Sequence, residues 1–454
     1  MAERHGASES TMLIDGRGER RQEPPSHSVA FIGVGAGTLG LMARPDATGR
    51  LDDLLKRGAG FYDKHSFGSQ TLNFTCDSNS LDTDFANILA ADGTMMSGSV
   101  REVVTTLQEG IPVTLQRAHS FYRSVGEQLQ NIVNQDDIVP QRVSYVVCNP
   151  RTSVDDPRRF TLYGGEDQKE KEVIGYANKV VLGTGASQEL SPQRVIHEGQ
   201  STYTSEQVLS GDRQSISELH RRLSDLDPEQ RKIAILGISH GALATAAELL
   251  KYDQANGNIL GEGAIQLIGK TEPELYYQTK TEAEKEYGRL GRSVNEELVA
   301  PNDAYARLVG MRAGSKDLYL AVQEGRERRV TVTIQKDTKN LWEEDIVRES
   351  PVAIQAFGLH TNLVPIYQQE QNGRLSIITV VNDKGSVPIG ANGNLYTAVG
   401  NDIGLFGTGI GYQYAARSDA IAAFAGPGEP PAKVTAANAY ATDFADALIP
   451  SLLG

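Results

Sequence analysis

The chain has 454 residues, more than one hydrophobic core usually accommodates, so two domains are the starting expectation. Hydrophobic residues at 39% and charged residues at 22% exclude wholesale disorder, and a net charge of −14 argues against nucleic acid or an anionic membrane as a partner. The two cysteines, Cys76 and Cys148, stand too far apart for a disulfide scaffold, a CxxC metal ribbon or a cysteine-bound iron–sulfur cluster, and no metal is expected.

Residues 1–26 are polar, without the apolar stretch of a signal peptide, and read as a disordered leader. No apolar run is long enough for a membrane helix, which leaves the cytoplasm as the default location. The first ordered element is expected at 28–34, a short apolar strand leading into glycines, followed by a helix that Pro45 limits. A second strand falls within 58–64, and the Asn-, Asp- and Ser-containing stretch 66–83 reads as a loop. Over 117–135 the residues Phe121, Val125, Leu129, Ile132 and Val133 recur near helical spacing. Strands are expected at 143–148, 159–163 and 172–182. After a polar segment, 210–231, comes a new strand–glycine–helix unit at 232–250 and a strand at 264–269. The stretch 271–310 reads as charged and helical, with strands near 318–323 and 330–334 and an apolar run at 352–357. The chain closes on 394–400, a glycine-rich turn, and a helix over about 409–425.

Two strand–glycine–helix units carry the chemistry. In VAFIGVGAGTLG, a strand ending in glycines lets the backbone approach a pyrophosphate, and the following helix presents free N–H groups to the phosphates. The register is either Gly33/Gly35 with Thr38 third, or Gly35/Gly37/Gly40, and a strand end at Ile32 favours the first. Asp63, at the end of the next strand, is placed to accept the ribose hydroxyls of an adenosine. In RKIAILGISHGALATAAELL the same logic gives Gly237, a close-approach position at Ser239, and Gly241-Ala242 opening an alanine-rich helix. His240 in that loop faces either the phosphate or solvent. The next strand ends in Lys270 rather than a carboxylate. A cation there suits a 2′-phosphate, and hence NADPH, unless it is simply a solvated lysine.

The chain resembles the flavin-dependent oxidoreductases with two dinucleotide-binding domains, and most closely the single-component FAD/NADPH monooxygenases, including the N-hydroxylating ones. VVLGTGA, with Gly183, Thr184 and Gly185, resembles the family's ATG strand, where the chain crosses between nucleotide domains. AIQAFG resembles the second ATG-type strand, with Phe357 in place of threonine. LYTAVGNDIG resembles the C-terminal segment beside the flavin, with Asn401 in the acidic slot and Asp402 next to it. FGSQTLNFT resembles the N-hydroxylases' glutamine-containing loop and offers Gln70 and Asn73 as flavin contacts. His197 and Tyr203 fall where monooxygenases carry a histidine-containing linker.

The resemblance implies an α/β fold: a Rossmann-like FAD-binding domain over 27–210 and 351–454, with a Rossmann-like NAD(P)-binding domain inserted over 228–350. It implies FAD and NADPH as cofactors and a small-molecule substrate and O2 as partners; it leaves open whether the chain is a homo-oligomer, although such folds often dimerise. Two lone cysteines cannot form a redox pair, so the disulfide-reductase branch is set aside. Electrons then pass either to O2, hydroxylating a small nucleophile such as an amine or amino acid, or to another acceptor, as in a flavin reductase or dehydrogenase. A catalytically degenerate FAD-binding module is the third reading, motivated by Ser239, Phe357 and the open glycine register.

Overall fold

The computed structural model describes residues 12–14, 20–68, 77–81, 88–89, 93–96, 98–106, 112–153, 156–165, 172–195, 197–210, 213–306, 309–357, 359–381, 387–390, 392–399, 403–409, 412–414 and 443–453. The first half supplies β1 (Ser26–Ile32), α1 (Ala36–Ala47), β2 (Ala59–Tyr62), α2 (Leu115–Ile132), β3 (Ile138–Val139), β4 (Val143–Cys148), β5 (Phe160–Gly164), β6 (Glu172–Leu182) and β7 (Ala186–Gln188). The middle supplies β8 (Ser201–Thr204), β9 (Ile233–Leu236), α3 (His240–Ala255), β10 (Ile265–Gly269), α4 (Ala313–Gln323), β11 (Val330–Ile334) and β12 (Val352–Gln355). The end supplies β13 (Leu359–Thr361), β14 (Ile366–Gln369), β15 (Leu375–Ile377), β16 (Leu405–Gly407) and α5 (Asp443–Leu453).

These strands form two main sheets. The larger has nine strands in the order β15-β14-β4-β5-β6-β1-β2-β3, with β16 also paired to β6. Around its centre β1, β2, β3, β6 and β16 run parallel, while β4, β5 and the first half of β6 form an antiparallel meander. Val29–Phe31 and Val180–Leu182 are fully buried, the continuous apolar run expected of parallel strands covered on both faces. On α2, Ala118, Phe121, Tyr122, Val125 and Leu129 face the core, and the Thr114 hydroxyl caps the helix by accepting the Arg117 amide.

The second sheet has five parallel strands, β8-β12-β9-β10-β11, with α3 crossing from β9 to β10. It takes β8 and β12 from outside the expected 228–350 interval, so this unit reaches from Ser201 to Gln355. Between the sheets the chain passes twice, and the two passages pair antiparallel as β7 and β13.

Several local expectations differ. Met12–Ile14 pairs antiparallel with Arg20–Gln22, so part of the expected leader is a pair of short strands. Within the expected 66–83 loop, Asp77–Leu81 is a strand beside Pro112–Thr114. Among the described residues of the 271–310 stretch, only Lys280–Arg289 is α-helical, with one short turn of tighter helix at Glu296–Leu298. The expected strand near 318–323 is the end of α4. The run LYLAV has no strand alternation of polarity, and Ser315 and Tyr319, four residues apart, make the buried stripe of a helix. Where the closing helix was expected, Tyr412–Tyr414 is a strand parallel to Val387–Ile389, as its tyrosines favour, and residues 415–425 lie outside the described residues. Pro45 sits inside α1, two residues before its end. Among the described residues no helix is long and apolar enough to cross a membrane.

Candidate functional site: two glycine turns joined by a ribbon

At the first turn, β1 stops at Ile32 and Gly33 takes φ +84°, a left-handed conformation that favours glycine. The turn is braced on three sides. The Gly33 amide donates to the Tyr62 carbonyl (2.9 Å) and the Gly68 amide to the Val34 carbonyl (2.8 Å). The Val34 amide donates to Asp63 Oδ2 (2.8 Å), whose Oδ1 accepts the His65 amide (3.0 Å). Asp63 is thus fixed against the turn 29 residues upstream and retains lone pairs for further donors. Thr38 is fully buried, its hydroxyl donating to the Gly33 carbonyl (2.7 Å).

Packing separates the glycines. A Cβ on Gly37 would lie 2.5 Å from Gly409 Cα, and one on Gly183 would lie 2.2 Å from Thr38 Oγ1. Gly37 and Gly183 are therefore glycine because protein fills the space. Gly35, which caps α1, has an ordinary φ of −89°, and a Cβ there meets nothing within 4 Å. Neither conformation nor packing requires glycine at Gly35, which leaves a cradle open at the start of a helix. A pyrophosphate, which accepts hydrogen bonds from helix-start amides and needs close backbone approach, fits that cradle.

The motif Gly183-Thr184-Gly185 continues directly from β6. The Thr184 hydroxyl lies 3.3 Å from the Tyr412 hydroxyl, and burial pushes that phenol well above its ordinary range. Beside it, β16 runs parallel to β6 and leads into Thr408 and Gly409, which the sequence offers only as part of a glycine-rich turn before a closing helix. The Thr408 amide donates to the Leu182 carbonyl (2.9 Å), its hydroxyl to the Gly37 carbonyl (3.4 Å), and Gly409 abuts Gly37. The available signal was the apolar triplet Leu405-Phe406-Gly407 running into Thr-Gly, a second strand–glycine junction. Asn401 and Asp402, expected in this role, lie outside the described residues, as do Gln70 and Asn73.

At the second turn Gly237 takes φ +121°, and its amide donates to the Ile268 carbonyl (2.7 Å). Ser239 caps α3 without a side-chain bond to the helix, and its hydroxyl donates instead to the Ala356 carbonyl (3.3 Å). Gly241 has only two serine hydroxyls, at 3.9 Å, near a would-be Cβ, so this turn is also open toward its helix. The His240 carbonyl accepts the Ser315 hydroxyl (3.1 Å), tying the start of α4 to that of α3. Ala242 is buried in the second core. Lys270 follows β10, is exposed, and donates to the Lys339 carbonyl (3.1 Å). Gln355, fully buried, accepts the Ser191 amide (2.8 Å) and donates to the carbonyls of Glu189 (2.9 Å) and Phe357 (3.1 Å). Tyr203 lies on β8 with burial raising its phenol, and His197 Nε2 sits 3.5 Å from the Trp342 carbonyl; neither reaches the glycine turns through a described contact.

Asn362 pins the ribbon between the two turns. Its amide donates to the Gly185 carbonyl (3.0 Å), its Nδ2 to the Thr184 carbonyl (3.4 Å), and its Oδ1 accepts the Ser187 hydroxyl (2.7 Å). Cys148 is buried on β4 and Cys76 lies outside the described residues. Among the described residues no group of three or more His, Cys, Asp or Glu could hold a metal ion.

No protein-family model matches the chain, and no curated protein sequence does. Solved structures match over most of its length. An ornithine N-hydroxylase from Kutzneria sp. 744, with NADP+ and reduced FAD in its description, is 13% identical over 94% of this chain and 99% of its own, at a TM-score of 0.51. An L-lysine 6-monooxygenase from Pseudomonas syringae is 14% identical over 94% and 99%, at 0.51. An FAD-bound cadaverine monooxygenase of desferrioxamine biosynthesis from Erwinia amylovora is 13% identical over 94% of each chain, at 0.54. At such identities the likeness shows the fold: α/β, with two Rossmann-like units, the fold of these three enzymes.

Proposed function

We propose that the chain is an FAD-dependent monooxygenase, using NADPH and O2 to hydroxylate a small nucleophilic substrate such as an amine or amino acid, in the cytoplasm. The observation that carries the reading is the open cradle at Gly35, braced by Asp63, at the C-terminal edge of a parallel sheet and joined by a two-stranded ribbon to a second such turn. The first sheet and its C-terminal strands would hold FAD, and the unit from β8 to β12 would hold NADPH. The three structures above, which share this fold, act on ornithine, lysine and cadaverine, each an amine.

In this reading the backbone amides at Gly35–Gly37 bind the FAD pyrophosphate and the Asp63 carboxylate accepts its ribose hydroxyls. Thr184, Thr408 and Gly409 border the same site. Gly237, Ser239, Gly241 and Ala242 receive the second pyrophosphate, and Lys270 faces the 2′-phosphate. Bound FAD supplies the redox and oxygen chemistry, so the protein's share is binding, orientation and exclusion of water.

The test follows NADPH consumption by the purified yellow protein against a panel of small amines, in air and in its absence. Turnover that requires O2, with a hydroxylated product, is the expected result. Turnover that persists anaerobically with an artificial electron acceptor, and no oxygenated product, would replace the reading with a reductase or dehydrogenase. Protein that neither carries nor binds FAD would leave only a degenerate module.

A further inference from the structure

We infer that Phe357 is the aromatic contact for the nicotinamide end of the dinucleotide at the second glycine turn, an inference that rests on the function proposed above. Strand order carries it. β10 and β12 flank β9 on opposite sides, so a dinucleotide whose pyrophosphate crosses the β9–α3 turn lays one end over β10 and the other over β12. Lys270, the cation suited to a 2′-phosphate, directly follows β10. The adenosine half therefore belongs on that side, and the nicotinamide half over β12.

Phe357 is the second residue beyond β12. Val352, Ala353 and Ile354 are fully buried and Ala356 is 4% exposed, whereas Phe357 is 39% exposed. The backbone carrying its ring is pinned. The Ala356 amide donates to the Leu236 carbonyl (2.9 Å), the Ala356 carbonyl accepts the Ser239 hydroxyl (3.3 Å), and the Phe357 carbonyl accepts Gln355 Nε2 (3.1 Å). An aromatic residue is thus held at the lip of the phosphate turn, with over a third of its surface in water. Covering that surface with a flat heteroaromatic ring is favourable, and a pyridinium adds attraction to the face of the phenyl ring.

The test is calorimetric titration of the FAD-loaded full chain, as wild type, Phe357→Ala and Phe357→Tyr. The ligands are NADP+ and adenosine 2′,5′-bisphosphate, which lacks the nicotinamide. Loss of one stacking contact weakens NADP+ binding to Phe357→Ala by about tenfold. The bisphosphate is expected to bind all three proteins alike, and Phe357→Tyr to keep wild-type affinity for both. Unchanged NADP+ affinity in Phe357→Ala, or an equal loss for both ligands, overturns the inference while leaving the second nucleotide site standing. A wild-type protein that binds neither ligand removes that site, and the inference with it.

Discussion

Gly35 and Gly37 stand two residues apart in one turn and are glycine for different reasons. Gly37 packs against Gly409, so Gly37→Ala forces two backbones apart and is expected to cost about 1–3 kcal/mol in thermal unfolding. Gly35→Ala adds a methyl to open space at an allowed φ, so the flavin-free protein is expected to melt within about 1 kcal/mol of wild type, the most a poorer helix cap should cost. Its flavin content is where the change should show. Melting curves beside the ratio of flavin to protein absorbance separate the two, and a fully flavinated Gly35→Ala protein would sink the cradle argument. Sequence could nominate both glycines, but not say which faced protein and which faced space. Asp63 was legible because a carboxylate at the end of the second strand is a local signal. For Thr408 and Gly409 the strand–glycine junction was legible but its place was not, because that comes from β16 lying beside β6, a pairing more than 220 residues apart that no spacing rule reports.

At the scale of elements, the strands read best where the apolar run is continuous and bounded by turns: β4 and β6 fall on their expected limits. The region between β10 and α4 read worst, because its tyrosines are held by a shared carboxylate rather than by periodicity. Tyr287 and Tyr305 both donate to Glu274 Oε2, at 2.7 and 2.9 Å. The lower edge of the first sheet hides another feature without a pattern. On β1, the ring of His27 is buried edge-to-face against Tyr62 of β2 (5.7 Å), with Asp137 Oδ1 at 3.6 Å from Nδ1. Burial brings His27 from its ordinary 6.5 down to about 4, and the same cause, reinforced by Asp136, raises Asp137. Buried His27 and half-buried Asp137 are therefore both pushed toward their neutral forms. Between about 4 and 6.5 the unfolded chain binds a proton that the folded chain does not, so folding stability falls as pH is lowered through this window. The full contribution is about 3 kcal/mol. Denaturant melts at the two ends of the window should show His27→Phe losing less stability on acidification than wild type by roughly that amount. Identical losses would mean that His27 gains its proton without penalty.

For the molecule as a whole, two Rossmann-like units were legible because each announces itself with a strand, a glycine turn and a helix. Their coupling was not legible, because it rests on three-residue strands too short to carry a pattern. β7 and β13 are the only paired strands joining the passages between the two sheets among the described residues, and Asn362 ties the second passage to Thr184 and Gly185 on the first sheet's side. Asn362→Ala deletes side-chain hydrogen bonds of an exposed residue, so its cost in stability should stay near 1 kcal/mol. What it loosens is the relative placement of two sites that the proposed function requires to meet, and displacements of about 1 Å can cost a reaction 100-fold. Under that function, anaerobic bleaching of the flavin by NADPH is expected to slow by at least about tenfold in Asn362→Ala, while equilibrium affinities for FAD and NADP+ remain those of wild type. Stopped-flow reduction beside calorimetric titration reads both quantities on one preparation. A fall in affinity matching the fall in rate would mean that Asn362 shapes a binding site. An unchanged rate would show that the ribbon only connects the two units, and that their approach is set elsewhere, as where α4 packs against the strand Asp77–Leu81.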